Sequence, residues 1–575
     1  MYKQHRLLIA NRGEIAVRVI QACKDLGIHS VAVYADDDIE SLYVKLADEA
    51  WALSGQTAKE SYLDIDKILN IAKQSQATMI HPGYGFLSER ADFAQAVIDA
   101  GLIWIGPSPQ SMRILGDKIE ARKLAQAVGA PLVQGTEQPL RSANEALTFA
   151  QTYGLPIAIK AAYGGGGRGL KVVRQLDEVA DLYESAVREA QAAFGRGECF
   201  VEQYLDKPRH LEAQMIADQH GHVVVVGTRD CSLQRRNQKL VEEAPAPFVD
   251  DDIYQQLIQS TVDICRAANY VGAGTVEYLL SQDGTLSFLE VNTRLQVEHP
   301  VTEQTTGMDL VIEQIRIALG QPLSIQETPK PQGHAIEFRI NAEDPARGFI
   351  PTFGQITRFN PPSGIGIRLD TGVTQGSLVS SHFDSLMAKL IVTGATREIA
   401  IQRAKRAVAH FELEGIASVL AFHRAILSEP DFVDAFNVHT RWIEQQFQSE
   451  CATHQRSKKS ELPVLQRYTI EIDGKLHQVG LPIGLLKMVS VQDSHLSTET
   501  PQSLQNENAV RAPINGSLSS WAVQENAQVE QGDVIATMEA MKMEVPVIAH
   551  RTGKIKNLVT VNQMFDADMK IAEIV

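Results

Sequence analysis

The sequence predicts a mixed α/β and α+β chain: a doubly wound N-terminal domain, two further mixed domains and a small all-β flattened barrel. Three observations carry that prediction. Residues 6–105 alternate short apolar strands with amphipathic helices, whereas residues 118–320 and 334–445 mix strands and helices more irregularly, with hairpin signals. Residues 509–575 fall into two similar halves around one lysine. At 575 residues the chain has material for three or more domains with substantial cores.

In the first segment, Leu7-Leu8-Ile9-Ala10, Ser30-Val31-Ala32-Val33-Tyr34 and Ala77-Thr78-Met79-Ile80 read as strands, and Glu14 to Leu26 reads as a helix between the first two. Strand, helix, strand in that order predicts a parallel sheet covered on both faces. Next, Ile157-Ala158-Ile159-Lys160, a run from Gly164, Gly165, Gly166 and Gly167 to Arg168-Gly169, and Leu170-Lys171-Val172-Val173 form strand, glycine loop and strand. A dinucleotide-binding turn would open into a helix. A Walker loop would place its lysine directly after Gly169, with Ser or Thr following. Neither pattern fits, so the glycines predict a flap whose bare backbone amides close on phosphates.

Farther on, Gly274-Thr275-Val276-Glu277-Tyr278-Leu279-Leu280 leads through Asp283-Gly284, a strong hairpin signal, to Thr285-Leu286-Ser287-Phe288-Leu289-Glu290. With Asp283-Gly284 as the loop, Gln282 faces Thr285 and Glu277 faces Glu290, and Asn292 shares their side of the sheet. Like charges directly opposite destabilise a sheet. A divalent cation removes that repulsion, and two carboxylates with an amide oxygen are the hard ligands magnesium takes beside nucleotide phosphates. Asn292-Thr293-Arg294-Leu295-Gln296-Val297-Glu298-His299-Pro300 then packs a cation, amides and a further carboxylate after these candidates, and Arg339 sits on a strand within Glu337-Phe338-Arg339-Ile340-Asn341. Paired guanidiniums suit a planar carboxylate-like substrate.

A helix is expected from Arg397 to His410. Beyond Phe447 the composition turns polar and aperiodic. Residues 464–490 hold a few alternating strands, including Tyr468-Thr469-Ile470-Glu471-Ile472 before an Asp-Gly turn, and Gln492 to Asn508 is again polar linker. In the last domain, Val534-Ile535-Ala536 and Val547-Ile548-Ala549 flank Met538-Glu539-Ala540-Met541-Lys542-Met543. Two β-type runs meeting at Lys542 predict a hairpin that presents its ammonium. Gly532-Asp533-Val534 has an echo in Ala567-Asp568-Met569, and Ala512-Pro513-Ile514-Asn515-Gly516 has one in Ala549-His550-Arg551-Thr552-Gly553, so Lys542 stands at the junction of two similar halves.

Composition narrows the class. Basic residues number 54 and acidic ones 70, which argues against nucleic acid or an anionic membrane as main partner. No signal peptide is evident, nor any uninterrupted apolar stretch of about 18 residues. Five scattered cysteines suit a reduced, cytoplasmic protein without a disulfide framework or zinc site.

These motifs, with Gly116-Asp117-Lys118, Ile80-His81-Pro82-Gly83-Tyr84-Gly85-Phe86-Leu87-Ser88-Glu89 and Arg229-Asp230-Cys231-Ser232-Leu233-Gln234-Arg235-Arg236, resemble biotin carboxylase of the ATP-grasp superfamily across residues 5–445. The methionine-flanked Lys542 resembles that of biotinyl domains, since a lipoyl lysine usually follows an aspartate. The resemblance implies a biotin carboxylase N-terminal domain at 1–115, an ATP-grasp domain with glycine flap at 116–333 and a carboxylase C-terminal domain at 334–446. It further implies a linker with a short β segment at 447–508 and a biotinyl carrier at 509–575, with biotin covalent on Lys542.

It also implies that Lys118, Lys160, the glycine flap, Glu202, Gln203, Tyr204, Leu205, His210 and Gln234 hold ATP. Glu277, Glu290 and Asn292 would bind Mg2+ or Mn2+. Lys239, Arg294, Gln296 and Val297 would hold substrate bicarbonate, with Glu298 as its base. Arg339 would stabilise the enolate form of the biotin ureido group, and Tyr84 would lie near biotin. Asn237 departs from relatives that carry histidine there. No segment resembles a carboxyltransferase. The chain therefore looks like the α subunit of an acyl-CoA carboxylase, with a carboxyltransferase (β) subunit and a biotin protein ligase as partners and homo-oligomers within a larger complex. An ATP-grasp ligase of carbamoyl-phosphate type and a non-enzymatic biotin scaffold are the alternative readings.

Overall fold

The computed structural model describes residues 2–161, 170–451, 465–472, 475–482, 508–513, 516–540, 543–556, 559–561, 563–565 and 569–575. The flap glycines Gly164–Gly167 and Lys542 lie outside the described residues.

The first domain is a five-stranded parallel sheet: β1 (Arg6–Ile9), β2 (His29–Tyr34), β3 (Glu49–Ala52), β4 (Met79–His81) and β5 (Ile103–Trp104), in the order β3-β2-β1-β4-β5. Its central strand is apolar on both faces, as a covered parallel sheet requires. Leu7 and Ile9 pack into one core with Ile15 and Val19, while Leu8 packs into the other with Val31, Ile80 and Phe93. Helix α1 (Gly13–Leu26) crosses between β1 and β2 and ends at Gly27, whose φ of 70° supplies the left-handed closing residue. The doubly wound expectation holds.

A three-stranded sheet follows: β6 (Ile157–Ala161), β7 (Leu170–Val173) and β8 (Cys199–Gln203). Lys160 of β6 is the partner of Leu170, the described residue on the far side of the glycine run. An eight-stranded sheet forms the body and joins the second and third domains. It contains β9 (Arg209–Ala217), β10 (Val223–Arg235), β11 (Gln238–Ala244), β12 (Gly272–Leu280), β13 (Leu286–Asn292) and β14 (His334–Asn341). Its order is β13-β12-β9-β10-β11-β14, then the strands Leu386–Gly394 and Ile367–Thr371. On β9, Leu211, Ala213 and Met215 enter an apolar core with Val276 and Tyr278 of β12. Strand alternation turns Glu212 and Gln214 to the opposite face, and that face carries the chemistry.

The β12–β13 register confirms the expected outcome by a different route. Glu277 is the Cα partner of Glu290, and Thr275 that of Asn292. The two-residue loop with Gln282 facing Thr285 is not what forms, however. Leu280 pairs with Leu286, Ser281 N–H donates to Thr285 O, and Gly284 N–H donates back to Ser281 O. A bulge at Leu289, between Phe288 and Glu290, restores the Glu277–Glu290 pairing.

The helix Arg397–His410 is present, as is the pair Leu465–Ile472 with Lys475–Pro482. The last domain is two four-stranded sheets, one ordered (Ala509–Arg511)-(Lys570–Ile574)-(Gly553–Lys556)-(Gln528–Val529) and the other (Met543–Ile548)-(Val534–Ala540)-(Gly516–Trp521)-(Met564–Phe565). Leu518, Ile535, Met538, Ile555, Ile571 and Ile574 fill its core. Ala540 pairs with Met543 across the strands Val534–Ala540 and Met543–Ile548.

Candidate active site

Between the domains opens a cleft of roughly 2300 Å³ lined by residues from all three segments of the body. Lys118, Lys160, Glu202, Gln203, Tyr204, Leu205, His210 and Gln234 line it, as do Lys239, Glu277, Glu290, Asn292, Arg294, Gln296, Val297, Arg339 and Tyr84. Apart from the glycines and Lys542, the sequence-predicted residues therefore converge on one place, with Glu298 buried just behind the wall.

Glu298 is the centre of the charge pattern. Its side chain is fully buried, Lys239 Nζ donates to Oε1 at 2.8 Å, and Arg339 Nη2 donates to Oε2 at 2.9 Å. Burial alone would raise this carboxyl, but Lys239, Arg339 and Arg229 together hold it below the usual carboxylate range. Burial likewise opposes the Lys239 charge, and Glu212, Glu277 and Glu298 together keep that ammonium protonated well beyond an ordinary lysine. Each charge here is stable only because its partners are present. Removing one member of such a buried pair typically costs about 3–5 kcal/mol.

The metal candidates meet the same wall. Glu277 Oε2 lies 3.0 Å from His210 Nε2, and Oε1 accepts from Asn292 Nδ2 at 2.8 Å and from Lys239 Nζ at 3.0 Å. Burial raises Glu277, yet Lys239 and His210 outweigh it and keep it ionised. Glu290 Oε2 stands 3.5 Å from Lys118 Nζ. Arg294 Nη2 donates to Asn292 Oδ1 at 3.0 Å and Nη1 to Gln296 Oε1 at 2.7 Å, while its Nε lies 3.1 Å from Glu89 Oε2. Two carboxylates and an amide oxygen on one wall, with cations where nucleotide phosphates would also need them, fit a hard divalent ion.

Lys160 pairs with Glu202 diagonally across β6 and β8, where Lys160 faces Phe200 and Glu202 faces Ala158, and Arg122 Nη1 lies 3.6 Å from the same carboxylate. Gln234 Nε2 and His210 Nδ1 are 2.9 Å apart. The β10–β11 turn explains Asn237. Arg236 and Asn237 both have positive φ, 48° and 63°, so this two-residue turn favours a residue that tolerates the left-handed region.

Several supporting residues carried no assignment from sequence. Arg229 is wholly buried and saturated: Nε donates to Glu212 Oε2 at 2.9 Å, Nη1 to Gln214 Oε1 and Thr302 Oγ1, and Nη2 to Thr275 Oγ1. It thereby orients Glu212, which pairs in turn with Lys239. Lys389 is also fully buried; its Nζ donates to Val297 O at 2.8 Å and lies 3.0 Å from Glu14 Oε1, and Glu14 accepts from Tyr84 Oη. Tyr84 follows Gly83, whose φ is +64° and where a Cβ would come within 2.8 Å of Asn11 Nδ2. The polar–apolar alternation His210-Leu211-Glu212-Ala213-Gln214 was the signal that identifies Glu212 as part of the working face.

Comparison with known proteins gives this geometry its setting. The biotin carboxylase N-terminal domain model matches residues 3–112, and the biotin carboxylase C-terminal domain model matches 337–445. Between them, the ATP-binding domain model of the carbamoyl-phosphate synthase L chain matches 117–326. The chain is 55% identical to the biotin-dependent acyl-coenzyme A carboxylase alpha3 subunit of Mycobacterium leprae, over 96% of this chain and 95% of that one. The chain belongs to the biotin carboxylase family.

The model described as biotin-requiring enzyme matches residues 508–574, so this biotin carboxylase is joined to a biotinyl domain. Biotin carboxylase of Nostoc is 45% identical over 77% of this chain and 99% of its own. Among solved structures, a biotin carboxylase–β-γ-ATP complex from Campylobacter jejuni superposes with a TM-score of 0.72 at 39% identity, covering 76% of this chain and 98% of that one. The biotin carboxylase domain of 2-oxoglutarate carboxylase from Hydrogenobacter thermophilus, solved with MgADP, ADP and bicarbonate, gives 0.71 at 41% identity, covering 76% and 97%. Biotin carboxylase domains on both sides of the ATP-binding segment remove the carbamoyl-phosphate alternative. Among the described residues, no helix is long and apolar enough to cross a membrane.

Proposed function

We propose that the chain carboxylates biotin on its own carrier domain with bicarbonate and ATP, as the α subunit of an acyl-CoA carboxylase. The product classes are ADP, phosphate and a new C–N bond. One observation carries the reading: a buried carboxylate, Glu298, lies between Lys239 and Arg339 beside the wall formed by Glu277 and Asn292.

On this reading, Lys118, Lys160, Glu202–Leu205, His210, Gln234 and the flap Gly164–Gly167 hold ATP. Glu277, Glu290 and Asn292 hold Mg2+ or Mn2+, which supplies positive charge to the phosphates. Lys239, Arg294, Gln296 and the Val297 backbone hold bicarbonate. Glu298 takes the bicarbonate proton; its depressed basicity is adequate because the same cations that lower it also acidify a bicarbonate placed against them. Lys542 would hold biotin, whose ureido nitrogen would receive the carboxyl group. Arg339 presents a fixed guanidinium where negative charge develops, and Tyr84 borders that space. The assigned boundaries are 1–115, 116–333, 334–446, 447–508 and 509–575.

The 55% identity with the M. leprae α3 subunit, over 95% of that chain, supports a carboxyltransferase β subunit as partner. A biotin protein ligase, a homo-oligomeric body and a cytoplasmic setting complete the proposal; the free thiols of all five cysteines suit a reduced compartment. The test is ADP release by purified protein given ATP, bicarbonate and free biotin. Release that depends on both bicarbonate and biotin supports the reading. No biotin-dependent turnover by protein that still binds ATP would favour the scaffold alternative. Capture through the biotin should co-purify a transferase.

A further inference from the structure

Behind Arg339 lies a second pair of carboxyls that the reaction does not obviously need. Strand pairing makes Glu337 of β14 the direct partner of Glu242 of β11, and both side chains are completely buried. Arg339 Nε donates to Glu242 Oε1 at 2.5 Å. Glu242 Oε2 and both oxygens of Glu337 have no hydrogen-bond partner. Residues directly opposite on antiparallel strands have Cβ atoms about 5 Å apart, so the two carboxyls occupy one small dry space. Two anions confined there repel strongly, and one shared proton removes the repulsion and satisfies an orphaned acceptor.

The surrounding charges leave that proton in place. Lys389, on the strand beside β14, already gives its ammonium to Glu14 and Val297. Arg339, one pleat along from Glu337, is taken by Glu242 and Glu298. The helix His299–Thr306, packed on this face, brings His299, which burial holds neutral, and Glu303, which is bound by Arg18 and Arg368. Burial, opposed by Lys389 and reinforced by Glu242, lifts Glu337 well above an ordinary carboxyl. Burial, opposed by Arg339 and reinforced by Glu298, lifts Glu242 to about 7.

We propose that Glu337 stands as a neutral carboxylic acid whose O–H is donated to the free Oε2 of Glu242, and that this shared proton fixes Glu242 as the anionic seat of Arg339. Glu337 is thus a positioning residue. With its proton, Arg339 is held between two anions, Glu242 behind and Glu298 in front. Without it, three carboxylates compete for one guanidinium and draw it back from the cleft. The positioning role rests on the assignment of Arg339 to the biotin space; the protonation does not.

Difference infrared spectroscopy of the full-length biotinylated protein tests it, comparing wild type with Glu337→Gln in H2O and D2O at neutral pH. The wild type should show a carboxylic-acid C=O band that shifts in D2O and is lost in the variant. Absence of such a band overturns the proposal, and because the band is read without turnover, this failure is separate from any failure of the Arg339 assignment. Glu337→Gln keeps a donor for Glu242 and should retain biotin carboxylation within about threefold, whereas Glu337→Leu leaves the acceptor unpaired and should lose about tenfold or more. The Leu variant's loss should exceed its loss of bicarbonate-dependent ATP cleavage. Equal loss in folded Gln and Leu variants, or full activity of both, overturns the positioning role.

Discussion

The carboxylase cleft and the biotinyl domain solve opposite problems. Around the cleft, charged side chains of the eight-stranded sheet and of the segment after β13 are buried together, with Glu212, Arg229, Glu242, Glu298, Glu337 and Lys389 all at zero exposure. In the biotinyl domain, among the described residues, the buried set is apolar: no buried polar or charged side chain is found beyond His439. Charge stabilisation needs ions already oriented in a dry space, and each of those ions must be neutralised by neighbours. A carrier needs only a stable body and one reachable lysine. The cleft therefore depends on many residues at once, whereas the function proposed for the carrier rests on Lys542 alone.

The sharpest way to break that contrast is Lys542→Arg. It should abolish streptavidin binding and acyl-CoA carboxylation completely while leaving carboxylation of free biotin largely intact. Streptavidin-reactive variant protein would mean another lysine carries the group. Next comes Glu298→Gln, which keeps the shape but removes the proposed base. It should lower both bicarbonate-dependent ATP cleavage and biotin carboxylation by about 100-fold or more. Retention of either activity would place the base elsewhere.

How much of this was legible in the sequence differs between the two regions for the same physical reason. The proposal for Lys542 comes from sequence alone, because local repetition and paired β runs are properties of short segments. The Glu277–Glu290 pairing was readable from alternation and a turn signal, although the loop and the Leu289 bulge were not, since bulges depend on what the sheet packs against. Lys389 meets Glu14 near the other end of the body, Arg229 meets Thr302 73 residues on, and Glu242, which faces Glu337, meets Arg339 97 residues on. No window of residues contains both ends of such a pair. Resemblance to a family supplied the residues proposed to hold ATP; it did not supply the buried charges that support them.

Arg339→Ala sharpens the comparison inside the cleft. Losing a fixed cation where charge develops should cost on the order of 100-fold in biotin carboxylation. Bicarbonate-dependent ATP cleavage should fall less, because bicarbonate is activated before the ureido group reacts. Parallel steady-state assays of both activities decide it. Equal losses would show that Arg339 serves chiefly to organise Glu298, with which it shares a 2.9 Å hydrogen bond.

The smallest expected effect separates the two regions by pH. His81 is buried in the first domain, where its Nδ1 accepts from Gly83 N–H at 2.9 Å, and burial lowers it from 6.5 to about 4. Unfolded, it takes a proton near pH 6.5; folded, it resists until about 4. Its contribution is therefore full above 6.5, shrinks as pH falls, and is gone below about 4. Between pH 7.5 and 5 this amounts to about 2 kcal/mol. His81→Asn keeps an acceptor for Gly83 and loses the titration. Urea unfolding followed by tryptophan fluorescence should show the stability gap between wild type and variant narrowing by about that amount over the same range. Glu14 and Glu337, raised by burial, push the other way in both proteins and cancel in the difference. The biotinyl domain has no buried histidine among its described residues. A gap that stays constant with pH would mean His81 is not held neutral, and the contrast between a charge-managed body and an apolar carrier would lose this support.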